Sequence, residues 1–194
     1  MVSIDQVKEL RQQTGVSISE CKKALEESNG NNEKAKEVLR KWGKQLAGKK
    51  SEREAGSGII DIYLHDNKSI GAMIELRCET DFVAKSDDFK KLAHEICLHI
   101  TAMKPLFLSE NDIPKEFLDK ERNIYKEQME NSGKPKEMLS QIIDGKLGKY
   151  KKEVSLLSQL WVKDNTKTIN GLIEEYIAKI GENIVLKRFI RYEI

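Results

Sequence analysis

No stretch of the 194-residue chain approaches the ~20 consecutive apolar residues that a membrane-spanning helix requires, so no membrane partner is expected. Cysteine is scarce and odd in number: Cys21, Cys78 and Cys97 are far apart and form neither a CxxC nor a CxxH pair. That excludes a disulfide framework and a cysteine zinc site, and predicts small buried thiols in a reducing compartment. Charge of one sign is also lacking. The chain has 34 basic and 32 acidic residues, a formal net charge of +2, whereas a dedicated nucleic-acid binder usually carries a clear basic excess. Phosphate-cradling glycine loops are missing, with neither GxxxxGK[ST] nor a GxGxxG after a strand. Histidine is limited to His65, His94 and His99, and the last two are spaced wrongly for the i,i+4 metal pair of a zincin helix. No Ser or Cys sits in a nucleophile elbow, and Asp87-Asp88 reads as a pair of helix-start acids. An enzyme with its own active site is therefore not expected, nor a cofactor or bound metal. The first residues, Met1-Val2-Ser3-Ile4-Asp5-Gln6-Val7, have neither the apolar core of a signal peptide nor an Arg-rich, acid-poor leader, which points to the cytoplasm.

Leu, Ile and Val are nonetheless frequent enough for a packed core, and they fall into patterns. Residues 3–47 carry three helical stripes. The first holds Ile4, Val7 and Leu10 and stops at Thr14-Gly15. The second opens with the capping-box pair Ser17 and Glu20 and carries Ile18, Cys21, Ala24 and Leu25 to Asn29-Gly30. The third starts near Asn31-Asn32, carries Ala35, Val38, Leu39 and Trp42, and meets Gly43. Helices this short bury one stripe each, so a compact bundle is predicted. Residues 43–58 combine four glycines with a run of charge and read as a helix tail and linker. A domain boundary is placed there, with 1–54 as bundle and linker and 55–194 as core.

The core begins with alternating strands. Ile60, Ile62 and Leu64 alternate against Ile59, Asp61 and Tyr63; Asp66-Asn67-Lys68 turns the chain; Ile70, Ala72, Ile74 and Leu76 then alternate against Gly71, Met73, Glu75 and Arg77. An antiparallel hairpin follows from that. A helix capped by Ser86 or Asp87 carries Phe89, Leu92, Ala93, Ile96, Ile100 and Met103 up to Pro105. Residues 113–152 read as a charged helical hairpin, with Pro114 and Pro135 suited to first helical positions and Asn131-Ser132-Gly133-Lys134 between the helices. The segment from Val154 to Val162 is apolar and leads into a polar turn. Thr168 caps a helix through Ile180, Gly181 ends it, and a β-branched C-terminal strand closes the chain. The fold class expected is α+β, an N-terminal bundle followed by an α/β core with an antiparallel sheet and an inserted helical hairpin.

In Thr80-Asp81-Phe82-Val83 an aromatic stands beside a carboxylate in the short link between strand and helix. Residue types favour burial of Phe82 as an anchor, with Asp81 as N-cap. The other reading exposes Phe82 as a rigid knob for a partner's pocket, a role in which a large aromatic loses little side-chain entropy.

Two stretches resemble one family. Leu10-Arg11-Gln12-Gln13-Thr14-Gly15, continuing to Lys22-Lys23-Ala24-Leu25, is similar to the N-terminal signature of bacterial elongation factor Ts, the nucleotide-exchange factors of elongation factor Tu. Glu75-Leu76-Arg77-Cys78-Glu79 followed by Thr80-Asp81-Phe82-Val83 is similar to its T-D-F-V signature. Further matches run through Lys104-Pro105-Leu106-Phe107, Gly133-Lys134-Pro135, Val162-Lys163-Asp164 and Gly181-Glu182-Asn183-Ile184, with Arg77 as a departure that questions strand packing. The resemblance implies a bundle of the ubiquitin-associated (UBA-like) type on a single, unduplicated core, the short form, whose members act as homodimers. It implies elongation factor Tu as partner and release of GDP by disturbance of its magnesium site and switch region. Thr80, Asp81, Phe82 and Val83 would enter the GTPase domain, Arg11 and Lys22 would contact it from the bundle, and His65 and His99 are weaker contact candidates. The alternative reading is a UBA-like protein-interaction module without exchange activity. An RNA-binding scaffold has less support, since aromatics are not interleaved on a basic face.

Overall fold

The computed structural model describes residues 2–129 and 135–194, so the predicted separator Asn131-Ser132-Gly133-Lys134 lies outside the described residues. The chain divides into two compact units: the residues up to Leu98 together with Asn170–Ile194, and His99–Ile169. The architecture is α+β, as the patterns predict.

The first unit opens with α1 (Ile4–Thr14), α2 (Ile18–Glu27) and α3 (Asn32–Lys50). Ser3 caps α1 through a complete capping box with Gln6, and Gly15 closes it at φ 71°, a left-handed conformation that suits glycine. Ser17 caps α2 at Glu20 N, but the Glu20 carboxylate accepts the Ser17 hydroxyl instead of its backbone N–H, so the expected box is only half made. The three stripes meet in one cluster of Val7, Leu10, Val16, Cys21, Ala24, Leu25, Ala35 and Leu39, with Val38 and Trp42 packed against it. Each fully buried leucine here contributes roughly 1.5–3 kcal/mol. Gly43 does not end α3, which runs on to Lys50. A Cβ on Gly43 would stand 3.3 Å from the Ala178 methyl, so glycine permits a close helix crossing at this position. Arg40 pairs with Glu175 in the same seam, and the Lys50 ammonium donates to the Gly181 carbonyl.

The sheet combines β1 (Ser57–Leu64), β2 (Ile70–Cys78) and β5 (Ile184–Glu193), with β2 central and both pairings antiparallel. A register shift between Glu75 and Leu76 marks a bulge against β5. Ala72, Ile74, Leu76 and Cys78 are buried, and α5 (Asp87–Met103) covers their side: Cys97 Sγ donates to Asp61 O, and the His94 ring meets Tyr63 edge-on. Register places Ile62 opposite Met73 and Leu64 opposite Gly71, so Ile60, Ile62 and Leu64 lie on the other face, exposed alongside Met73, Ile190 and Tyr192. Alternation predicts two faces per strand, and the pairing decides which one is covered. Helix α8 (Ile169–Ile180) ends at Gly181, φ 87°, as predicted.

The second unit contains α6 (Lys115–Met129) and α7 (Lys136–Val154). Pro114 and Pro135 stand one residue ahead of these helices instead of inside them, their carbonyls closing the first helical hydrogen bonds by accepting from Leu118 N and Leu139 N. Phe117 links Phe107, edge-on, to Tyr150, stacked at 6.0 Å, while Arg122 pairs with Asp144 across the hairpin. The apolar run after Val154 forms a 3-10 turn and then β3 (Leu160–Trp161), which pairs antiparallel with β4 (Asp164–Thr168). Among the described residues no helix is long and apolar enough to cross a membrane.

Candidate functional site

β2 leaves the sheet at Cys78, and three residues later the chain turns into α4 (Asp81–Lys85). Thr80 starts this helix: in extended conformation its Oγ1 accepts from Val83 N, so Thr80, not Asp81, is the N-cap. Asp81 occupies the first turn, where a carboxylate is favoured by the helix dipole. Its Oδ2 meets Lys85 Nζ at 2.7 Å, and that hydrogen bond holds the carboxyl below its ordinary range. Ala84 is buried beneath the turn, which directs Phe82 outward, 82% exposed. Burial was the outcome residue types favoured; Ala84 takes the anchoring position instead.

The turn is tied from below. Thr80 N and Oγ1 donate to the two carboxylate oxygens of Glu182 at 3.0 and 2.7 Å. Glu79 accepts from Asn183 N at 2.7 Å and faces the Arg53 guanidinium at 3.6 Å. Cys78 Sγ donates to Thr80 O, and burial pushes the thiol up to about 11, so it is neutral and unreactive. A large aromatic is thus presented to solvent on a five-residue helix held by charge-assisted hydrogen bonds.

The other contact candidates in the first unit are on the surface. Arg11 is exposed in the last turn of α1, and Lys22 is exposed on α2 with a long 3.8 Å pairing to Glu26. His65 follows β1; its backbone closes the hairpin turn, and its Nδ1 stands 3.2 Å from Tyr63 Oη.

Residues 4–176 match the family model described as Elongation factor TS. The chain is 49% identical over 194 residues to elongation factor Ts of Thermosipho melanesiensis, covering 100% of this chain and 99% of that protein. It is 48% identical to elongation factor Ts of Thermotoga petrophila and 49% identical to that of Desulfitobacterium hafniense, in each case over the whole chain and over 96% and 89% of the relative. The chain belongs to the elongation factor Ts family.

Within this elongation factor Ts fold His99 is not at the surface. It is 0% exposed on α5, which removes it as a direct partner contact in this conformation. Its Nδ1 accepts from Val162 N at 3.2 Å, so the ring proton is on Nε2 and is given to Gln159 Oε1 at 3.0 Å. The Gln159 amide then donates to the Met103 and Glu153 carbonyls. This is a packed polar link, and burial lowers the imidazole pKa. Sequence reasoning missed Glu182 and Asn183 as supports of the Thr80 turn. The available signal was a Glu-Asn pair directly after a helix-ending glycine, in a stretch already similar to the family.

Proposed function

We propose that this member of the elongation factor Ts family promotes GDP release from elongation factor Tu in translation elongation, with Thr80, Asp81, Phe82 and Val83 inserted near the magnesium site and switch region of the GTPase domain. The observation that carries this reading is the exposure of Phe82 on a turn fixed by Glu182 and Thr80. Magnesium at a nucleotide site needs a near-octahedral shell of oxygens, so moving one supporting element weakens nucleotide without any contact to it. No covalent bond changes. The coupling is reciprocal: the factor lowers GDP affinity by the same ratio by which GDP lowers the factor's affinity.

Residues 1–54 serve as a UBA-like module that brings Arg11 and Lys22 to the GTPase domain, and 55–194 form the core. His65, exposed at the hairpin turn, faces the partner's second part. The working assembly is a homodimer in the cytoplasm. Support for the dimer comes from the exposed apolar sheet face and from β5, which pairs only with β2 among the described residues. A contiguous exposed apolar face is the kind of surface that serves protein–protein contact.

The test is release of fluorescent GDP from elongation factor Tu as the chain is titrated. Release should accelerate to a plateau, and the added acceleration should shrink when a chelator removes magnesium beforehand. No acceleration at any concentration overturns the exchange reading; acceleration equally large without magnesium overturns the route through the metal site.

A further inference from the structure

The turn that presents Phe82 is too short to hold itself. Helix α4 has five residues, far below the ~12–15 at which an isolated helix becomes even marginal. Its conformation must therefore be imposed by neighbours. The imposing contact is bidentate: one carboxylate, Glu182, takes both donors of Thr80. The hydroxyl proton is committed to Glu182 Oε1, which leaves an oxygen lone pair for Val83 N, the third amide of α4 and the last before the helical ladder begins with Ala84 N to Thr80 O. Glu182 thereby sets the cap, and the cap sets the direction of the next two side chains.

Glu182 is itself held on both sides. Gly181 N donates to Ile177 O, and the Gly181 carbonyl receives the Lys50 ammonium. Asn183, 3% exposed, gives its N–H to Glu79 and its Nδ2 to Arg53 O at 2.8 Å. The carboxylate therefore stands on a braced corner where α8 passes into β5.

We infer that Glu182 is a positioning residue for nucleotide exchange: it does not touch the partner but holds the Thr80–Val83 turn in the one orientation in which Phe82 is competent. This rests on the reading of Phe82 as the inserted side chain.

The experiment is a double-mutant cycle on exchange with elongation factor Tu, using the full chain with Glu182→Ala, Phe82→Ala and both. If the freed turn is competent about a tenth of the time, Glu182→Ala lowers exchange about 10-fold, because effective binding scales with the competent fraction. In the Phe82→Ala background the same change should cost less than about 2-fold, since two residues acting through one contact are not additive. Glu182→Gln, which keeps one acceptor oxygen, should recover part of the loss, and it carries the test if the alanine variant fails to fold. Hydrogen exchange at the Val83 and Ala84 amides should speed up in Glu182→Ala while protection in β2 stays unchanged. A folded Glu182→Ala protein with normal exchange overturns the inference. So does an equal loss in both backgrounds, which makes Glu182 only a structural tie. If Phe82→Ala alone leaves exchange unchanged, the reading of Phe82 falls first and the inference falls with it; that outcome is recognised from the single variant.

Discussion

If Phe82 is the inserted side chain, truncating it should separate binding from folding. The ring is 82% exposed, and none of the bonds that hold its turn uses it: the cap is Thr80 to Val83 N, the tie is Glu182 to Thr80, and the ion pair is Asp81 to Lys85. Phe82→Ala should therefore change folding stability by less than about 0.5 kcal/mol, as surface substitutions generally do. In the complex the balance reverses. An aromatic anchor at the centre of an interface costs ~2–4 kcal/mol when truncated. If that loss falls wholly on the exchange transition state, the rate drops by roughly 30- to 1,000-fold, since 1.36 kcal/mol is tenfold. Stopped-flow release of fluorescent GDP from elongation factor Tu measures the second quantity, and a thermal melt of the free chain measures the first. Phe82→Leu, which keeps an apolar side chain, should fall between the parent and the alanine variant. A large fall in melting temperature together with near-normal exchange per folded molecule would refute the reasoning and place the ring in a core contact.

His99 is neutral in the fold, with Nε2 donating and Nδ1 accepting, and its pKa is lowered by burial. Below the ordinary value of about 6.5 the unfolded chain binds the extra proton first, so this contribution is complete above that pH and is lost on acidification by up to about 1.4 kcal/mol per pH unit. Urea unfolding at pH 7.5 and 5.5 should show a smaller acid loss in His99→Asn than in the parent; equal slopes would remove His99 from the account. At Gly43, alanine should be nearly neutral because its helix propensity of about 1 kcal/mol offsets the 3.3 Å contact with Ala178, whereas Gly43→Leu should cost about 1–3 kcal/mol by overpacking. Calorimetry decides, and a leucine variant as stable as the parent would contradict the close crossing. If the proposed homodimer forms through the exposed sheet face, the parent should sediment as a dimer and Ile62→Lys as a monomer, with far-UV CD unaltered; a dimeric Ile62→Lys protein would argue against that face as the contact.

Much of the architecture could be read from local pattern because local physics decides it. The stripes of α1 to α3, the Ser17 cap, the β1–β2 hairpin and the stop at Gly181 all depend on residues within a few positions of one another. The departures depend on distant neighbours. Gly43 reads as a helix stop until Ala178 supplies a reason for it to lie inside one. The β3–β4 ladder has a two-residue strand, a register shift and the polar sequence Asp164–Thr168, so it has no period to detect. His99 reads as a weaker contact candidate until Gln159, sixty positions away, is placed against its ring. At the candidate site, residue types pointed Phe82 inward, and it was the family resemblance that pointed it outward. The Glu182-Asn183 pair after Gly181 is the one local signal of the support under the Thr80 turn, and what it supports is visible only when the strand exit and the α8 corner are brought together.

Helix α3 runs unbroken for 19 residues, about 28 Å at 1.5 Å per residue, from the Asn31 cap to the lysine seated on Gly181. It therefore works as a strut, where a tether would let its two ends wander. At one end it packs with the helices that carry Arg11 and Lys22; at the other it is bonded to the corner that braces Thr80. If both ends meet the same GTPase, engagement of the first contact delivers the second already in place, at a high effective concentration and with little further loss of chain freedom. A glycine-rich hinge cut into residues 44–49 would leave Arg11, Lys22, Phe82 and the Lys50 bond to Gly181 intact and still weaken the grip, because what it removes is the fixed span between the two contacts.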